Sequence, residues 1–198
     1  MEQVTYDLMV SPVKTKTFEE YSKEDARIYF DWYVAQSEKR INQLIQYCSK
    51  TSSSEIAFDE TPNSLIPVWA WFEEQITTQK KTESEMQAAL QGRPLWVQEE
   101  IKKVDWRFTT LTRALAIDMS FYFAQVMMKN HPSVKWGYFT KPKNQASVNR
   151  PVLFGFIKKK YMDPRNVIIV CCRHSVEKKD ANRLYDLYMN WLEFIDVQ

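Results

Sequence analysis

The sequence predicts an α+β fold, with a helical N-terminal layer packed on a three-stranded, mostly antiparallel sheet and closed by a C-terminal helix. Three observations carry this. Apolar residues recur at helical spacing through the first two thirds of the chain. From Val134 to Cys172 the pattern shortens to aromatic or β-branched runs separated by turn residues. From Val176 to Ile195 helical spacing returns, with Ala181, Leu184, Tyr185, Tyr188, Trp191, Leu192 and Ile195 on one face. Helices, then strands, then a helix read as segregated layers. At 198 residues and 44% hydrophobic, the chain is long enough for one domain (1–198) with a substantial core, and too apolar for disorder.

Each element has a local cause. Residues 1–17 read as an extended arm with some β character around Val4 to Val10. Ser22-Lys-Glu-Asp25 resembles a capping box, and a helix follows to about Cys48, with an apolar stripe that includes Tyr29, Trp32, Tyr33, Ile41, Leu44 and Ile45. The serine-rich stretch 49–54 is a loop. Pro62, Ser64 and Pro67 mark the start of the next helix, Val68 to about Thr78, because proline is tolerated only in a first turn. A short helix at Glu83 to Gln91 ends at Gly92, and Pro94 opens another to about Val104. Trp106 to Lys129 is the most apolar helix and stops at His131-Pro132, so residues 18–130 are mainly helical. Residues 131–175 read as a meander of strands Val134–Thr140, Pro151–Ile157 and Val167–Cys172, since such short connections favour antiparallel pairing. Residues 176–198 form the closing helix.

Composition excludes several function classes. Gly92, Gly137 and Gly155 are the only glycines, too scattered for the phosphate-cradling loops, dinucleotide turns or nucleophile elbows that need a bent or closely approached backbone. Cys48, Cys171 and Cys172 have no metal-ligand spacing, and neighbours 171 and 172 would point to opposite faces of a strand. A reducing cytoplasm is the simplest setting for them. No apolar run reaches the ~20 residues of a membrane span, and Met1 to Pro12 lacks the basic and apolar regions of a signal peptide. No cofactor, metal or membrane is expected, and the reading leans away from an enzyme.

The net charge of +2 conceals an asymmetry. Residues 131–179 hold eleven Lys or Arg against Asp163 and Glu177, a balance of +9, while the remainder stands at −7. Such polarity steers an acidic partner or is neutralised within the fold. Lys135, Lys141, Lys143 and Arg150, interleaved with Trp136, Tyr138 and Phe139, and the run Lys158-Lys159-Lys160 form the candidate partner-binding face. The same residues could serve single-stranded nucleic acid, with cations for phosphates and rings for stacking, although the near-neutral total and missing signatures weigh against it. The bland alternative is that strand alternation buries the rings while lysines blunt sheet edges. Trp71, on a different face from Trp69 and Phe72, is an interface anchor if exposed.

A second candidate lies in the apolar helix. Asp118 and Gln125 fall within its apolar arc with Tyr122 on the same face, whereas Arg113 and Ser120 mark a polar side. A buried carboxylate needs a partner, so Asp118 is either a structural anchor, paired for instance with Arg150, or part of a small-ligand or catalytic site. Cys172 and His174 would share a strand face and could in principle make a nucleophile, but cysteine in an apolar segment is usually a small buried hydrophobe.

The phrases Ser64-Leu-Ile-Pro-Val-Trp-Ala-Trp-Phe72, Ala116-Ile-Asp-Met-Ser-Phe-Tyr-Phe-Ala-Gln125 and Trp136-Gly resemble a recurring pattern in small bacterial proteins of unknown function. Some compact α+β proteins of similar look are immunity partners of secreted toxins. The resemblance implies a small bacterial cytoplasmic protein and transfers no site residue. The expectation is a soluble interaction protein, immunity-type in form, that binds an acidic protein.

Overall fold

The structure is a computed structural model and describes residues 5–13 and 16–195. Val4, Lys14 and the last three residues, which the arm and closing-helix expectations include, lie outside the described residues, and residues 5–10 carry no strand.

The architecture is mixed helix and sheet, but strand is sparse. Eight α-helices run α1 Lys23–Ala35, α2 Ser37–Thr51, α3 Leu65–Gln75, α4 Glu83–Leu90, α5 Leu95–Lys103, α6 Thr110–Asn130, α7 Pro164–Glu177 and α8 Arg183–Leu192 among the described residues. The strands β1 Thr78–Lys80, β2 Trp106–Phe108, β3 Lys135–Gly137 and β4 Val152–Phe154 form two separate antiparallel pairs, β1 with β2 and β3 with β4. The expected three-stranded sheet is therefore corrected to two two-stranded ribbons.

Helix α6 is the axis. Thirteen of its 21 residues are buried, on every side, as expected of a helix enclosed by others. α2, α3 and α7 pack around it, and the main core gathers Leu44, Trp69, Phe72, Leu115, Met119, Phe123, Leu153, Ile168 and Leu184. A smaller aromatic core of Tyr21, Tyr29, Tyr33 and Phe121 fills the α1 side. Ser120, expected on a polar side, is buried and donates to the Ile117 carbonyl at 2.6 Å.

The first expected helix is two, because the chain bends at Gln36, whose N–H is shared between the Tyr33 and Val34 carbonyls. Ser22 caps α1 through the expected box, its hydroxyl accepting from Asp25 N at 3.0 Å. The start expected for the most apolar helix is instead β2. Thr109 then caps α6. Gly92, at φ +70°, follows α4 as its left-handed terminator, as its place in the sequence implies.

The largest correction is at 167–172, which is helix α7 and not a strand. Asp163 accepts from Asn166 N at 3.2 Å, and Pro164 occupies the first turn. Pro164, Ile168, Cys171, Cys172 and Ser175 then form the buried stripe. What stands in for the third strand is a single bridge, Met162 with Leu153. The expected C-terminal helix is also broken. Buried Glu73 of α3 accepts the Asp180 N–H at 3.1 Å and the Ser175 hydroxyl, fixing a turn between α7 and α8.

Candidate functional site

The basic face is built on β3 and β4. In this ribbon Lys135 pairs with Phe154, Trp136 with Leu153 and Gly137 with Val152. Alternation turns Lys135 outward and Trp136 inward, where its indole meets Tyr33 and Phe121 at centroid distances of 5.8 and 6.3 Å. Trp136 is thus half-buried against the aromatic core. Beside the ribbon, Tyr161 lies 4.9 Å from Phe139 and 6.4 Å from Phe154, and all three rings are half-exposed. Lys135, cross-strand from Phe154, and Lys141, Lys158, Lys159 and Lys160 of the adjoining loops are exposed, and none makes an ion pair among the described residues.

Not all of the expected cations are available. Lys143 donates to the Tyr21 carbonyl at 3.0 Å and so fastens its loop to the turn before α1. Arg150 lies over the Phe18 ring at 4.9 Å and stands 4.0 Å from both Glu19 and Asp163. Lys160 rests on the Phe194 ring at 3.3 Å. Lys158 and Lys159 both adopt left-handed backbone (φ 56° and 55°), a costly conformation for a lysine, and their side chains remain in water. Trp71 is corrected outright. It is buried, with Nε1 donating to Thr51 Oγ1 at 3.1 Å and its ring against Tyr47, so it cannot anchor a partner.

The three polar residues of α6 do not converge. Asp118 is fully buried, and Arg40 of α2 grips both its oxygens at 2.7 Å. Tyr6 of the arm donates a third hydrogen bond to it. Arg40 spends its remaining reach on the Asp7 carbonyl and Gln43 Oε1, both at 2.9 Å. The partner is therefore Arg40 and not Arg150. Burial pushes the Asp118 carboxyl up to about 6, against the downward pull of Arg40 and Tyr6. Tyr122 instead hydrogen-bonds Ser64 Oγ and accepts from Glu60 N at 3.3 Å, and Gln125 is half-buried. Arg40 had a sequence signal, since Arg40, Leu44, Tyr47 and Cys48 fall on one helical stripe, all buried.

The thiols are unsuited to nucleophilic work. Burial raises Cys48 to about 11 and Cys171 to about 12, and Cys172 is raised as well. On a helix, residues two apart such as Cys172 and His174 face different sides, and His174 is exposed in the last turn of α7. Among the described residues no three His, Cys, Asp or Glu side chains gather as a metal site would need.

Sequence reasoning missed two further surfaces. Leu95 and Trp96 open α5 and are 78% and 71% exposed, on a helical pair α4–α5 that has no buried residue and stands on the β1–β2 ribbon. A leading Leu-Trp after Pro94 was a visible signal. The other is a cavity of about 350 Å³ between the arm, α6 and α7. No helix among the described residues is long and apolar enough to cross a membrane. Compared with known proteins, the chain matches no family model, no curated protein and no solved structure.

Proposed function

We propose that this chain is a non-enzymatic interaction protein that binds an acidic protein partner through the face formed by β3, β4 and the loops on either side of β4. The observation that carries the reading is the half-exposed ring cluster of Phe139, Phe154 and Tyr161 on a segment whose exposed Lys135, Lys141, Lys158 and Lys159 have no internal counter-charge among the described residues. Residues 134–162 contain no Asp or Glu at all, so this segment contributes only positive charge to the face. Lysines there steer the encounter, and the rings supply desolvated contact area once it forms. The narrower reading, an immunity-type protein that holds a toxin, draws on the resemblance of the Ser64–Phe72 and Ala116–Gln125 segments. Asp118 is not a credible catalyst, since its oxygens are taken up by Arg40 and Tyr6.

The test is capture from native lysate followed by titration of the purified captured protein. Lys135→Glu, Lys141→Glu and Lys159→Glu together leave the fold intact, because all three side chains are exposed. They should weaken binding by about tenfold or more, with a large share in the association rate. Equal affinity for wild type and variant removes the basic face from consideration. Binding of random single-stranded oligonucleotides that falls steeply with salt transfers the face to nucleic acid instead.

A further inference from the structure

The cavity between the arm, α6 and α7 is separate from the basic face, and its lining is chemically uneven. Leu8 and Met9 of the arm, Ile117 of α6 and Ile169 of α7 give it apolar walls, while Arg113 and Arg165 supply the charge. Arg40 reaches it too, but its charge is already matched by Asp118. Among the described residues Arg113 and Arg165 have no carboxylate within ion-pair distance, and no Asp or Glu lines the cavity. Arg165 is positioned by its surroundings. It donates to the Tyr29 hydroxyl at 2.9 Å and lies 5.8 Å from the ring centroids of both Phe18 and Tyr33. This one contact leaves the rest of its fork without a protein acceptor among the described residues.

We infer that this cavity binds a small amphiphilic anion, with a single carboxylate or phosphate head on an apolar tail. Two arginines beside an apolar slot match that chemistry, because a planar guanidinium donates to either oxyanion in a forked geometry while the walls take the tail out of water. The volume lies at the lower end of the range for small-molecule pockets, which suits a medium-chain tail rather than a two-chain lipid. The arm forms one wall. It is tied down by Tyr6 to Asp118 and by the Asp7 carbonyl, which accepts from Arg40 and Gln43, so the slot exists only while the arm is docked.

The experiment is calorimetric titration of the full chain with sodium decanoate, decyl phosphate and decanol. Expected is an affinity for decanoate or decyl phosphate about tenfold or more above that for decanol, the stronger of the two naming the head group. Arg113→Gln, at an exposed position, should weaken that anion several-fold without lowering the melting temperature. Thr110→Trp, also exposed and on the cavity lining, should block the anion and decanol alike. Equal affinity for decanol, unaltered binding in both variants, or no binding of either anion overturns the proposal.

Discussion

Replacing Asp118 by asparagine exchanges a carboxylate oxygen for an amide nitrogen that faces the Arg40 guanidinium, itself only 3% exposed. The positive charge is then buried without its counter-ion, a cost of about 3 kcal/mol or more. Asp118→Asn should therefore lower stability by that order in urea unfolding, and the double replacement Arg40→Met, Asp118→Leu should recover most of it. An Asp118→Asn protein as stable as wild type would show that the pair is no anchor. His131 responds differently. It ends α6, where the dipole favours the charged form, yet partial burial lowers its pKa, and its ring nitrogen meets the Tyr188 hydroxyl at 2.7 Å. Just below the ordinary histidine value of ~6.5 the unfolded chain therefore binds a proton that the folded chain refuses. Its contribution is present above that value and is lost as pH falls through the lowered one. His131→Gln should lose less stability than wild type between neutral and mildly acidic pH. With only His131 and His174 to resolve, the shift is directly visible in ring-proton titrations.

Among the elements, the β3–β4 ribbon carries the proposed partner face and depends on a close approach. Gly155 follows β4 at φ +109°, and a Cβ there would sit 2.3 Å from the Ser133 carbonyl oxygen. Gly155→Ala combines that clash with a backbone conformation alanine avoids, so a loss of about 2 kcal/mol or more is expected. Gly92→Ala keeps the backbone penalty, at φ +70°, but its added methyl meets open space. It should cost only about 1 kcal/mol. Thermal melts of the two variants make the comparison, and equal losses would mean that the Ser133 contact is relieved by a small shift. The contrast also bears on function, because Gly155→Ala should disturb the basic face, whereas Gly92→Ala lies in the α4–α5 excursion.

At the scale of the molecule, the sequence announces its helices more clearly than its strands. Helix starts at Ser22 and Pro94 and the stop at Gly92 are encoded in caps and breakers, which act locally and so can be read locally, whereas α6 starts at its Thr109 cap and not at the expected Trp106. The run Val167-Ile-Ile-Val-Cys-Cys172 is ambiguous in isolation, since six apolar residues fit either period. Asp163-Pro164, read as a turn, is in fact the cap that decides for helix. The β1–β2 pairing joins strands centred 28 residues apart, and although Trp106-Arg107-Phe108 alternates, its partner Thr78-Gln79-Lys80 is polar and exposed, so no matching alternation marks the pair. The candidate site was half legible for the same reason. The cluster of basic residues is a property of a segment, but the inward turn of Trp136, the burial of Trp71 and the union of Arg40 with Asp118 across 78 residues belong to the assembled fold.

The docking of the arm also has a consequence in time. Tyr6 finds its acceptor on a residue 112 positions later in the chain. At ribosomal rates of about 5–20 residues per second, that acceptor is made on the order of ten seconds after Tyr6. Until then the arm can be held only through the Asp7 carbonyl by Arg40 and Gln43 of α2, without the Asp118 anchor or the cavity it will wall, so this corner of the molecule is completed late.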